Sequence, residues 1–159
     1  MTEKDKAFMS QAIAMAKKGM ESDEGGPFGA IIVDKNGKIV GKGNNKVTST
    51  NDPTAHAEVV AIRDACKNLE SFQLEGCTVY TSCEPCPMCL GAIYWARPER
   101  ILFAASREDA AAIGFDDDFI YKEIPLPVED RQITTQQLSR EEGVAVFNLW
   151  ANKTDKTEY

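Results

Sequence analysis

Two short segments constrain this chain more than anything else in it: His56-Ala57-Glu58 and, after an interval of helix and strand, Pro85-Cys86-Pro87-Met88-Cys89. Zinc prefers nitrogen and sulfur donors in tetrahedral geometry, and catalytic zinc sites typically take three protein ligands and leave a fourth position for water. One imidazole and two thiolates are such a set, so a fold that uses them must bring both segments to one point. Cys86 and Cys89 are three residues apart, and at a helix start that spacing puts both sulfurs on one side. The partial positive charge of a helix N-terminus lowers thiol pKa and favours the thiolates that bind metal. Two thiolates and a neutral imidazole leave a Zn²⁺ site formally uncharged, able to ionise a bound water near neutral pH. Glu58 then supplies a proton-carrying carboxylate beside the metal without ligating it.

Taken singly, these residues carry less. A pair of cysteines three apart is usually two small buried residues, and a lone histidine usually sits satisfied on the surface or in the core. The joint pattern decides: His56 is the only histidine, it stands two before Glu58 at a helix start, and prolines flank Cys86. H-x-E followed by P-C-x-x-C is the pattern of zinc-dependent nucleobase deaminases. Cys83 forms a second C-x-x-C pair with Cys86, and a fourth thiolate would close the site and make the metal structural. The proline before Cys86 fits the P-C-x-x-C frame, which assigns Cys86 and Cys89 as ligands and leaves Cys83 as a packed residue at a strand end. Cys66 falls on an apolar helix stripe and Cys77 opens a strand, so both read as core thiols. Five cysteines, three of them between positions 83 and 89, suit a reduced compartment with metal chemistry better than a disulfide framework.

Around this centre the pattern alternates. Asp5 to Lys18 reads as a helix with Phe8, Ala12, Met15 and Ala16 on one side and Gly19 as its stop. The run 28–33 is a strand, Asn36-Gly37 a hairpin turn, and 38–43 the returning strand. A helix is expected from near Ala55 to about Leu69, with Val59, Ile62, Cys66 and Leu69 as its apolar stripe. Residues 78–81 form a short strand, and 87–96 a helix with Pro87 at its first position. Residues 101–105 are another strand, and Ser106 with Asp109 makes a capping box for a helix ending at Gly114. Pro125 and Pro127 break the chain before a last helix around Glu141 to Asn152. Alternating strands and helices after an opening hairpin predict a three-layer α/β domain. A chain of 159 residues without repeats or linkers is read as a single domain, 1–159.

Composition limits the partners. With 43% hydrophobic and 27% charged residues, the chain is an ordinary globular protein. No apolar run reaches the roughly 18–20 residues needed to span a bilayer, and the charged N-terminus leads into no signal-like stretch; the expectation is a cytoplasmic protein with no membrane partner. Lys and Arg number 18 against 25 acidic residues, a net charge of −7. The basic residues are scattered, whereas nucleic-acid binders concentrate them to neutralise phosphates. That favours a small neutral substrate over RNA or DNA. The densest acidic run is Asp116-Asp117-Asp118.

The segments Gly25-Gly26-Pro27-Phe28-Gly29-Ala30, Asn51-Asp52-Pro53-Thr54-Ala55-His56-Ala57-Glu58 and Thr81-Ser82-Cys83-Glu84-Pro85-Cys86-Pro87-Met88-Cys89 resemble the cytidine deaminase-like superfamily. Within it the chain resembles the small bacterial guanine deaminases, through Cys89 to Pro98, Gly114 to Glu123 and the tail ending in Glu158-Tyr159. The resemblance implies a three-layer α/β/α fold around a mixed five-stranded sheet and one zinc per subunit. It also implies a homodimer that exchanges C-terminal segments, from about residue 125 to 159. The implied reaction is hydrolysis of a cyclic amidine C–N bond, guanine to xanthine and ammonia, serving purine catabolism or salvage. Glu58 and Asp117 would be the proton carriers. Phe28 and Trp95 would be aromatic walls, Asn45 and Ala57 substrate contacts, and Tyr159 a residue reaching the site from the partner subunit. Alternative readings are a guanosine deaminase, a tRNA adenosine deaminase, or a zinc-stabilised binding module with no catalysis. A structural zinc has no use for an adjacent acid, so Glu58 favours an enzyme.

Overall fold

Thr2 opens the first helix by a reciprocal cap. Its hydroxyl accepts the Asp5 N–H at 3.1 Å while the Asp5 carboxylate accepts the Thr2 N–H at 2.7 Å, satisfying two of the donors a helix start leaves over. The computed structural model describes residues 1–115 and 117–159; Asp116, in the middle of the acidic run, lies outside them. Helix α1 (Glu3–Glu21) runs further than its periodicity predicts. Gly19 does not stop it, because it is buried inside the helix where a side chain would strike Asn44: a Cβ there would sit 2.8 Å from the Asn44 Cβ.

Strand β1 (Gly29–Val33) pairs antiparallel with β2 (Ile39–Asn44). Gly37 supplies the positive φ of 82° in the turn between them, and the Asp34 carboxylate accepts the N–H groups of Asn36 and Lys38, each at 2.9 Å. A short helix α2 (Val47–Thr50), not legible in the pattern, precedes α3 (Ala57–Leu69). Then follow β3 (Thr78–Cys83), α4 (Pro87–Ala96), β4 (Arg100–Ala105) and α5 (Arg107–Ala111), the last capped by Ser106 and Asp109 as expected.

The sheet has the order β2-β1-β3-β4, with β1–β3 antiparallel and β3–β4 parallel. It is a mixed sheet of four strands, not five. All four come from the runs read as strands; the fifth was implied only by the resemblance. After β4 the described residues form helices and Pro-interrupted turns instead.

Helices cover both faces. Ala30 and Ile32 of β1 point into a core built with Ala57, Ala61 and Ala65 of α3 and with Ile93 and Ala96 of α4. Ile31 and Val33 point the other way, onto Ala12 and the partly buried Phe8 and Met15 of α1. Burial on both sides explains why β1 is apolar at consecutive positions. The stripe expected on α3 is corrected: its buried residues are Ala57, Glu58, Ala61 and Ala65, while Ile62 and Cys66 are only partly buried and Leu69 is exposed. The reason lies on β2, where Gly41 and Gly43 let the helix backbone come close. A Cβ on Gly43 would fall on the Ala57 carbonyl and 2.6 Å from the Ala61 nitrogen. Small residues on both elements let that seam close.

The chain divides into two compact units, Met1–Asp117 and Asp118–Tyr159. The second contains α6 (Asp118–Glu123), a 3₁₀ turn at Val128–Asp130 and α7 (Arg140–Ala151). The Arg131 guanidinium donates to the carbonyls of Leu126 and Ile124, each at 3.2 Å, and folds the Pro125–Pro127 segment back on itself. Among the described residues, no helix is long and apolar enough to cross a membrane.

Candidate metal centre and active site

The N-termini of α3 and α4 meet, and the residue capping each carries a metal donor. His56 is the cap of α3 and Cys86 the cap of α4, both in extended backbone, with Pro87 opening the second helix. Proline fits there because the first helical N–H has no intrahelical partner. His56 Nδ1 lies 3.5 Å from Cys86 Sγ and 3.5 Å from Cys89 Sγ. All three donor atoms fall within 4.8 Å of one another. Zinc–sulfur bonds of about 2.3 Å and zinc–nitrogen bonds of about 2.0–2.1 Å, at a tetrahedral angle, require nitrogen and sulfur roughly 3.5 Å apart. The donor set therefore fits one zinc ion bound through Nδ1 and two sulfurs.

The protonation of the trio points the same way. The Cys86 thiol is held far below its ordinary value, first by the hydrogen bond from Cys89 and then by His56. Cys89 is pushed far up, because it keeps the proton that its partner has given away. His56 is raised, chiefly by its bond to Cys86. A thiol disposed to ionise beside one disposed to keep its proton, with an imidazole against both, is a donor set that a cation binds in exchange for protons. Cys86 also accepts the Cys89 N–H at 3.5 Å, so the backbone of α4 supports the thiolate.

Glu58 is 6% exposed, on the first turn of α3, with Oε2 3.4 Å from Cys89 Sγ. It touches the centre without belonging to the trio. Burial pushes its carboxyl above the ordinary carboxylate range, which brings a proton-bearing form closer to neutral pH. Cys83 is buried at the end of β3 and its thiol donates to the Ser106 carbonyl at 3.5 Å. It stands outside the ligand set, and burial pushes it up to about 11.

The remaining sequence candidates are distributed as follows. Asn45 is buried; its Oδ1 accepts N–H groups from Gly26 at 3.3 Å and Val47 at 3.1 Å. What this side chain has to offer a ligand is therefore its NH₂ donor. Phe28, just ahead of β1, is half-buried and meets Phe115 edge-on, with ring centroids 4.8 Å apart. Asp117 is close enough for its charge to act on both His56 and Cys83. Ala57 is fully buried in the core, so its contribution to a ligand is confined to its backbone. Trp95 lies on α4 and is 65% exposed. Tyr159 is exposed at the end of the second unit. Phe115 was not singled out by the sequence; its signal was a lone aromatic directly after the helix-ending Gly114.

A sheet with helices on both faces, and a His/Cys/Cys trio with a buried glutamate at two helix starts, define a zinc-dependent hydrolytic deaminase. Residues 2–105 match the model of the cytidine and deoxycytidylate deaminase zinc-binding region. The chain is 55% identical to guanine deaminase of Bacillus subtilis (strain 168) over 152 residues, 96% of this chain and 97% of that one. Its structure superimposes on the crystal structure of guanine deaminase from Bacillus subtilis with a TM-score of 0.94 at 53% identity, covering 100% and 99% of the two chains. A tRNA-specific adenosine deaminase of Aquifex aeolicus is 46% identical over 98 residues, 62% of this chain and 64% of that one. The chain belongs to the guanine deaminase family within these zinc deaminases. It uses zinc, and among the described residues His56, Cys86 and Cys89 are the group able to hold the ion.

Proposed function

We propose that this protein hydrolyses guanine to xanthine and ammonia, with His56, Cys86 and Cys89 as zinc ligands and Glu58 as the proton carrier. The observation that carries the reading is a buried glutamate 3.4 Å from one ligand sulfur, in a chain alike from end to end to a guanine deaminase. When bound, zinc makes a water nucleophilic near neutral pH. Glu58 carries two protons in turn from the attacking water to the substrate, one to the ring nitrogen as the C–O bond forms and one to the amine as the C–N bond breaks and ammonia leaves. Asp117 accepts the substrate amino group's hydrogens and helps move its protons. The Asn45 NH₂, left over once its oxygen is used, donates to an acceptor on the base such as the carbonyl of guanine. Phe28 stacks on the ring and Phe115 backs it from the edge. Ala57 offers its backbone beside Glu58, and Trp95 forms a second aromatic wall.

Both units, 1–159, serve one catalytic domain in this reading, working as a cytoplasmic homodimer in purine catabolism or salvage. The dimer exchanges the segment from about residue 125 to 159, so that Tyr159 closes the partner's site. In support, α7 leaves Val146, Phe147 and Leu149 largely exposed, and apolar side chains in such a group mark a surface that associates.

The rival reading, tRNA adenosine, would need a basic surface for phosphates; the net charge of −7 argues against it. Guanosine competes only through pocket shape. The experiment is a substrate competition: zinc-loaded protein with guanine, guanosine and an anticodon stem–loop, each followed for ammonia release. Guanine is expected to dominate by kcat/KM. Preferential release from guanosine or the stem–loop would overturn the assignment.

A further inference from the structure

Three consecutive side chains just ahead of the metal ligands hold two other segments of the first unit. The Ser82 hydroxyl accepts the Gly29 N–H at 3.0 Å, fixing the backbone directly after Phe28. The Cys83 thiol donates to the Ser106 carbonyl at 3.5 Å. The Glu84 carboxylate accepts the Arg107 N–H at 3.2 Å, while the Glu84 N–H donates to the Ala105 carbonyl at 2.8 Å. Residues 105–107 lead into α5, whose end is closed by the Phe115 N–H on the Ala110 carbonyl at 3.1 Å. That closure delivers Phe115 onto the Phe28 ring. The ligand loop and the substrate-facing segment are thus registered to each other by side chains that touch neither metal nor base.

We infer that Glu84 is a positioning residue that sets the substrate-facing segment 107–115 against the metal loop, and so tunes guanine affinity. This rests on the guanine reading above. A hydrogen bond from a backbone N–H to a carboxylate is stronger than a neutral one, and the first amide of α5 has no intrahelical acceptor to replace it. Losing it frees the segment carrying Phe115 while Cys86 and Cys89 stay anchored on α4. Phe115 backs the Phe28 ring edge-on, and stacking by Phe28 acts in ground state and transition state alike, so loosening it raises KM more than it lowers kcat.

The test compares Glu84→Ala, Glu84→Gln, Arg107→Ala and Arg107→Pro with wild type, reading zinc content, guanine kinetics and amide exchange at positions 107–115. Arg107→Pro deletes the N–H at a helix position that tolerates proline, and serves if Glu84→Ala fails to fold; Arg107→Ala, which loses the same guanidinium bond to Glu108 but keeps the N–H, is its control. Glu84→Ala and Arg107→Pro are expected to keep one zinc, raise KM about tenfold with kcat changed less than threefold, and exchange faster across 107–115. Glu84→Gln keeps an acceptor oxygen and is expected to restore most of the wild-type affinity. Wild-type kinetics in Glu84→Ala with only a lower melting temperature would overturn the inference. So would loss of zinc, or a Gln variant as impaired as the Ala variant. If wild type made no xanthine, the guanine reading would fail by itself, and unchanged exchange in Glu84→Ala would still sink the clasp.

Discussion

Glu58 combines three properties that rarely coincide in a surface helix: it opens α3, it is buried, and it contacts a ligand sulfur. Replacing it with glutamine keeps size and leaves the trio intact. Glu58→Gln is expected to retain one zinc by metal analysis and to lose turnover by on the order of 10²–10⁴-fold; full turnover would remove Glu58 from the chemistry. Asp5 offers a residue-scale test of stability. It is buried, and its carboxyl is held at about 2 against an ordinary 3.8, first by the Thr2 N–H and then by the Tyr80 hydroxyl, which donates at 2.7 Å. A depressed folded-state pKa gives stability that is complete above about 4 and lost as pH falls through about 2. Melting temperatures measured across that window should fall more steeply for wild type than for Asp5→Asn, which carries no titrating group; parallel curves would contradict the account. The metal trio and Glu58 were legible in the sequence because zinc chemistry demands scarce residue types at fixed spacing. Asn45, Asp117 and Phe28 were not legible that way, since amides, acids and aromatics at such places serve turns, solvation and cores far more often. Only the resemblance singled them out.

At the scale of elements, every strand and every long helix among the described residues falls on a run the sequence marked as such, and Pro87 marked the start of α4 to the residue. What the pattern misplaced was the inward face of α3. Large apolar residues drew the stripe to Val59, Ile62 and Leu69, whereas the seam with β2 is made of what is absent: glycine on the strand, methyl groups on the helix. Helix α3 carries both His56 and Glu58 at its start, so the seam also sets the site. Gly43→Ala is expected to cost on the order of 1–3 kcal/mol as an overpacked contact and to weaken zinc binding, because Ala57 must move. Gly91→Ala, on α4 with nothing within 4 Å of the added carbon, is expected to gain about 0.5–1 kcal/mol from helix propensity. Thermal unfolding and zinc titration of the two variants check both signs. The fifth strand failed for a different reason: no run of residues in this chain was ever read as that strand.

For the whole molecule, the zinc centre joins two helix starts from distant parts of the first unit, so the metal stabilises the fold as well as the reaction. At free zinc about 1,000-fold above its dissociation constant, binding adds about 4 kcal/mol. Chelation should therefore lower the melting temperature, and equimolar zinc should restore it. The apolar residues left exposed on α7 call for a partner surface, and sedimentation at micromolar concentration should return a dimer mass. The reaction itself tests the account most directly: purified protein carrying one zinc per chain, given guanine and followed by ultraviolet absorbance. Stoichiometric conversion to xanthine and ammonia, abolished by chelation and recovered with zinc, is the predicted result. A fully zinc-loaded, folded protein that leaves guanine unchanged would contradict it.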